Sequence, residues 1–338
     1  MTQPTMPFPI AQEPEPAFKE RCDAVYAGWH NGSMTFKAAV DTLLELENGQ
    51  VASAQYANQG IVENMIGMMY GYRGDLDFSV RHFARARDLF ERASNRAQIV
   101  RAIMNLGESY RQKGDFPRAR QFFRTAYDQS TAINEHGTAA YAAANEGHLQ
   151  LSMNQLDSAK ERFEKAIELV AHEPKEETRC ELISDCRQGL ATYYLRVNEK
   201  TAAWRCALES LQLSQNARQP FMLGFAYRTM GEVLTAVGYT PNGTPRILPA
   251  HQDDAAATNE HLGDPDAYFQ LAVDAFSEIK AEGELARTVF MQGQSLMARG
   301  QRITASRKFH QAMLMFTKLG MRDDANKAAQ AQMGAIAR

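Results

Sequence analysis

The sequence predicts an all-α chain of about six antiparallel helix pairs stacked side by side, with atypical helices at both ends. Two columns of residues and one repeat interval predict it. A small residue recurs at Gly67, Gly107, Gly147, Ala191, Gly231 and Gly293, at intervals of 40, 40, 44, 40 and 62. Seven residues after each stand Gly74, Gly114, Asn154, Asn198, Gly238 and Gly300. Glycine and asparagine are the residues that best tolerate the left-handed conformation that ends a helix. The second column is therefore a repeated helix C-cap, and the first lies in the last turns of the helix it closes.

The second helix of each pair follows the cap. Twelve residues after the first column come Ser79, Ala119, Ala159, Ala203 and, in the last unit, Ala305. Seven further on stand Ala86, Ala126, Ala166, Ser210, Ala272 and Ala312, and three before those Phe83, Phe123, Phe163, Ala207, Phe269 and Phe309. Small residues let two helices approach closely, and a ring beside them fills the space that is left. Two helices of about 16 residues, each roughly 24 Å long, account for the period together with short turns. The fifth unit keeps this period once 22 residues are set aside between Gly238 and its second helix, which makes 239–263 an insertion.

The ends read differently. Residues 1–16 hold five prolines and are expected as a flexible or extended arm. Residues 17–50 read as a degenerate helix pair turning at Asn31-Gly32, 51–322 as the repeats, and 323–338 as a polar, alanine-rich capping helix. Asp264 followed by Pro265 is a good start for the helix after the insertion.

These columns resemble the tetratricopeptide repeat. Leu106-Gly107 with Tyr110 matches the family's first-helix core, and Ala119 with Phe123 and Ala126 matches the second; Ile66-Gly67 with Tyr70, and Ala159 with Phe163 and Ala166, repeat them. The likeness spans roughly 54–322 with a period near 40 instead of 34, similar to the long-helix arrays of MalT-like bacterial signalling proteins. It implies a right-handed superhelical solenoid whose first helices line a concave groove for another protein or a peptide.

Composition narrows the function classes. The net charge of −3 gives no whole-surface attraction to nucleic acid or anionic lipid. Residues 81–124 do carry eleven Lys/Arg against four Asp/Glu, mostly on second helices and without a stacking platform, so a solvated outer face is expected, or a contact with the acidic end of a second copy. Self-association is thus an open partner, while nucleic acid and membrane are not expected. No leader or apolar span of about 18 residues is visible, so a cytoplasmic chain is expected. Cys22, Cys180, Cys186 and Cys206 have neither zinc nor redox spacing. No phosphate-cradling glycine loop, metalloprotease helix or nucleophile elbow occurs. The expectation is therefore a non-enzyme with no cofactor and no metal; His251 and His261 among the aspartates of the insertion match no ligand spacing.

Groove positions flank the small-residue column on the first helices. They are Asn64, Arg101, Glu108, Tyr141, His148, Arg228, Glu232, Arg287 and Gln294, a mixed polar and aromatic set suited to a peptide or irregular segment. The column three before the small residue reads Asn64, Met104, Ala144, Gln188, Arg228 and Phe290, which is no repeated clamp for a C-terminal carboxylate. The function expected is a binding scaffold or adaptor. The alternatives are a ligand-sensing arm acting through a separate effector and, more distantly, a non-catalytic subunit of an enzyme complex.

Overall fold

A computed structural model describes residues 11–30, 32–217, 219–238 and 263–337, and all regular structure among them is helical. The insertion with His251 and His261, apart from Gly263, and the first ten residues lie outside the described residues. Contacts divide the chain into two compact units, one made of residues up to Gly71 with Leu76–Glu135, the other of Tyr72–Asp75 with everything from His136 on.

The first unit holds α1 (Pro16–His30), α2 (Phe36–Val51), α3 (Tyr56–Arg73) except its last two residues, α4 (Leu76–Arg92), α5 (Arg96–Gln112) and α6 (Phe116–Ala132). The second holds α7 (His136–Ser152), α8 (Leu156–Val170), α9 (Glu176–Arg196), α10 (Lys200–Ala217), α11 (Pro220–Val237), α12 (Pro265–Glu278), α13 (Glu282–Ala298), α14 (Arg302–Lys318) and α15 (Arg322–Ile336). From α3 to α14 the odd-numbered helices are the first of each pair and the even-numbered the second.

All six residues of the cap column adopt positive φ, from 58° at Asn154 to 83° at Gly74. The small and aromatic columns meet across each pair. A Cβ added at Gly67, Gly107, Gly147, Gly231 or Gly293 would stand 2.6–2.9 Å from the ring of Phe83, Phe123, Phe163, Phe269 or Phe309 respectively. The fourth pair has Ala207 where the others have a ring, and there the first helix carries Ala191 in place of glycine. Ring and glycine are thus exchanged together, and the neighbouring Phe163 reaches in against Gly189. All these side chains are buried and form the seam of each pair.

Residues 11–15 form no regular element and are held by named bonds in the first unit. The Gln12 side chain accepts the Ala57 N–H at 3.0 Å, and the Glu15 N–H donates to Asn58 Oδ1 at 2.9 Å. Asn95, which caps α5 through the Gln98 N–H, also donates to the Gln12 carbonyl at 3.1 Å. The segment therefore satisfies one orphan donor at the start of α3, the Ala57 N–H, while the α5 cap grips its backbone. Asp264 caps α12 by accepting the Asp266 N–H, with Pro265 in its first turn.

Candidate functional site

In the second unit the first helices form a continuous layer, because α7 packs on α9, α9 on α11, and α11 on α13. The apolar side of each first helix is taken up by its own second helix, so polar residues on the remaining face meet across neighbouring first helices.

Two such meetings join α7 to α9. Tyr141 hydrogen-bonds to Glu181, and burial with that neighbouring charge pushes the phenol far above its ordinary range. His148 Nε2 lies 3.0 and 3.1 Å from the two Asp185 carboxylate oxygens, with its ring edge-on to Phe163 at 4.9 Å. Glu181 is pushed up by burial, against the Tyr141 bond that pulls it down and with Asp185 and Glu177 adding like charge.

A third joins α11 to α13. Arg228 Nη1 lies 2.6 Å from one oxygen of Glu284 and Arg287 Nη1 2.5 Å from the other. Burial alone would raise the Glu284 pKa; the two guanidiniums overrule it and hold it at about 2. The Arg228 guanidinium also lies over the rings of Phe225 and Phe276, at 4.6 and 5.7 Å. Glu232, one turn on, is pushed up to about 7 by burial, with Arg228 and Arg196 pulling the other way.

Of the nine expected positions, Tyr141, His148, Arg228, Glu232 and Arg287 therefore sit in these part-buried clusters, and Gln294 is exposed on α13. Asn64, Arg101 and Glu108 belong to the first unit. Asn64 accepts from Asn105 of α5 at 2.9 Å, Glu108 holds Arg111 and Gln112, and Arg101 is exposed. Residue columns missed Glu181, Asp185 and Glu284, the carboxylates that organise the clusters. Two local spacings carry the signal: acids at Glu177, Glu181 and Asp185, four apart, and Glu284 three before Arg287.

The first unit holds one more buried polar group. Arg85 lies 2.9 Å from Glu47 and 3.0 Å from Glu63, and His82 Nδ1 is 2.6 Å from Glu63. Both carboxyls are almost wholly buried, and burial with the Glu63 charge pushes Glu47 up to about 7. The cysteine thiols of Cys22, Cys186 and Cys206 are raised by burial, away from the thiolate form. Among the described residues, no group of three or more His, Cys, Asp or Glu could hold a metal ion, and no helix is long and apolar enough to cross a membrane.

The tetratricopeptide repeat family matches this sequence in two overlapping stretches, residues 58–132 and 98–172. No curated protein matches it by sequence. Two solved structures share its fold. The apo form of RapI superposes with a TM-score of 0.51 at 11% identity, over 94% of this chain and 97% of that one. A Rap protein complexed with Competence and Sporulation Factor gives 0.55 at 11% identity, over 94% of this chain and 74% of that one. Residues 58–172 thus belong to the tetratricopeptide-repeat family, and the helix pairs that follow continue the same all-α fold.

Proposed function

We propose that this protein is a binding scaffold or adaptor without catalytic activity, and that the first-helix face of its second unit takes a segment of another protein or a peptide. One observation carries this reading. The pairs Tyr141–Glu181 and His148–Asp185 and the trio Arg228–Glu284–Arg287 stand on four consecutive first helices. Together they make an extended polar surface, part-buried and pre-ordered, of the sort that fixes an irregular backbone by many small contacts. Repeat arrays gain their function from such continuous faces, and the similar Rap structure holds Competence and Sporulation Factor. The residues that organise the face are also poor at chemistry: Tyr141 is locked in its protonated form, and Glu284 in its ionised form between two arginines.

A photo-crosslinking amino acid tests the face directly. Placed at Gln294, exposed on α13, it is expected to trap a defined partner from an extract of the native cells. Placed at Leu314, 54% exposed on the second helix α14, it is expected to trap none. Equal trapping at both positions, or trapping only at Leu314, would move the interface off the first-helix face.

A further inference from the structure

Residues 11–15 cross the α2–α3 and α4–α5 turns of the first unit, and one of them is bonded at every polar atom. The Gln12 N–H donates to the Ala93 carbonyl at 2.8 Å, and the Gln12 carbonyl accepts from Asn95 Nδ2 at 3.1 Å. Its side-chain oxygen accepts the Ala57 N–H at 3.0 Å. Its side-chain nitrogen donates to Gln55 Oε1 at 3.0 Å and to the Ala54 carbonyl at 3.4 Å. A primary amide meets both demands, because it carries an acceptor and two donors on one group. A glutamate would set an acceptor against the Ala54 carbonyl, and an aliphatic residue would leave the Ala57 N–H unserved.

Two asparagines extend the recognition along the backbone. The Asn95 side-chain oxygen accepts the Gln98 N–H as the cap of α5, which leaves its nitrogen for the segment. That nitrogen donates to the Gln12 carbonyl and, at 3.0 Å, to Glu13 Oε2. Asn58 is fully buried and donates its amide to Gln50 Oε1 at 2.9 Å, so its oxygen is turned to accept the Glu15 N–H at 2.9 Å. The contacts thus define a glutamine, an acid directly after it, and a free N–H three positions after the glutamine.

The hold on this segment is almost wholly polar. Ala11, Glu13 and Glu15 are exposed and Gln12 and Pro14 half-buried, so no side chain of the segment enters the core. Hydrogen bonds that water can replace add little net free energy, and the segment stays in place mainly because the chain keeps it near.

We propose that the starts of α3 and α5 form a second peptide site, in the first unit, that takes a glutamine-bearing segment of another protein, and that residues 11–15 are its resident competitor. A partner segment that repeats these bonds and adds apolar contact displaces residues 11–15, because they bury no apolar side chain of their own.

A random nine-residue display library tests this on three full-length chains: wild type, Gln12→Ala, and Gln12→Ala combined with Asn95→Asp. Gln12→Ala weakens the competitor and leaves the site intact. Aspartate caps a helix as asparagine does but cannot donate, so Asn95→Asp keeps α5 and removes the grip on the glutamine carbonyl and the acid. Circular dichroism checks that all three chains fold. The Gln12→Ala pool is expected to be enriched several-fold in glutamine followed by Asp or Glu, with no proline three positions after the glutamine. That enrichment is expected to vanish on the double variant. An enriched peptide is expected to bind Gln12→Ala several-fold more tightly than wild type, since the resident segment lowers the fraction of open sites. A Gln12→Ala pool without the glutamine, the same pool on the double variant, or equal affinity for wild type and Gln12→Ala would each overturn the proposal.

Discussion

Glu47 and Glu284 give one chain two opposite pH dependences. Glu47 is 2% exposed and faces Glu63, and its pKa rises from the ordinary 4.5 to about 7, through burial first and the Glu63 charge second. Between those pH values the folded state binds more protons than the unfolded state. Stability contributed by the protonated carboxyl is therefore fullest below about 4.5 and drains away as pH rises to about 7. Glu284 has the reverse sign. With its pKa held at about 2 by Arg287 and Arg228 against the pull of burial, its contribution is present above 4.5 and is lost as pH falls toward 2. Glu47→Gln keeps the buried shape and removes the titration. Urea midpoints measured from about pH 3 to pH 8 are expected to show the wild type losing stability above about pH 5 and the variant losing only part as much, because Glu232, also pushed up to about 7, still titrates there, with the acid limb common to both. Identical slopes above pH 5 would show that Glu47 titrates normally in the folded protein. The residue scale is also where the sequence was least legible. Tyr141, His148, Arg228, Glu232 and Arg287 could be placed by their offset from the repeated small residue, because a helix repeats its faces every turn or so. Their partners Glu181, Asp185 and Glu284 sit at other offsets, and Glu47 meets Glu63 across two helices from different pairs, a pairing that no periodicity within one helix encodes.

Helix pairs are held by a ring set into a glycine, and this element could be read almost completely in advance. The cap column supplied the turns and the small and aromatic columns the seam, since both rest on local backbone geometry and on close approach. What escaped was the docking of residues 11–15, whose proline content pointed to an arm but whose anchors Asn58 and Asn95 lie about forty and eighty residues downstream. The seam makes a sharp prediction. A Cβ at position 107 would stand 2.6 Å from the Phe123 ring, so Gly107→Ala forces the ring or the helices apart and is expected to cost about 1–3 kcal/mol. Phe123→Leu alone opens a void and is also expected to destabilise, by about 1 kcal/mol or more. The double variant is expected to be more stable than the sum of the two losses, because the smaller side chain makes room for the new methyl group. The fourth pair has already made this exchange with Ala191 and Ala207. Strict additivity in a double-mutant cycle would mean that the glycine is kept for a reason other than the ring.

At the scale of the whole chain, helices mainly contact their neighbours in order, apart from the turn Tyr72–Asp75, whose Tyr72 ring meets Phe221 of α11, and the contacts gather into two compact units. In a repeat array each element is stabilised by itself and by its neighbours, so cooperativity extends only as far as the interfaces between neighbours are strong. The sequence showed one uniform period through Gly107 and Gly147 and gave no sign of a division between them, since the repeat columns describe the seam inside each pair and carry nothing about cohesion from one pair to the next. The two tryptophans happen to report on the two units one by one: Trp29 is buried in α1 and Trp204 is nearly buried in α10. Trp204→Phe leaves fluorescence from the first unit alone, and Trp29→Phe from the second alone. Urea titrations of the two variants are expected to give different midpoints, each with a slope below that of a cooperative 338-residue unit, because the slope follows the surface exposed in each transition. Circular dichroism, which counts all the helices, is expected to span both transitions. If fluorescence from either tryptophan and the helix signal instead fall together with one steep slope, the chain unfolds as a single cooperative body, and the interfaces between pairs are as strong as the seams within them.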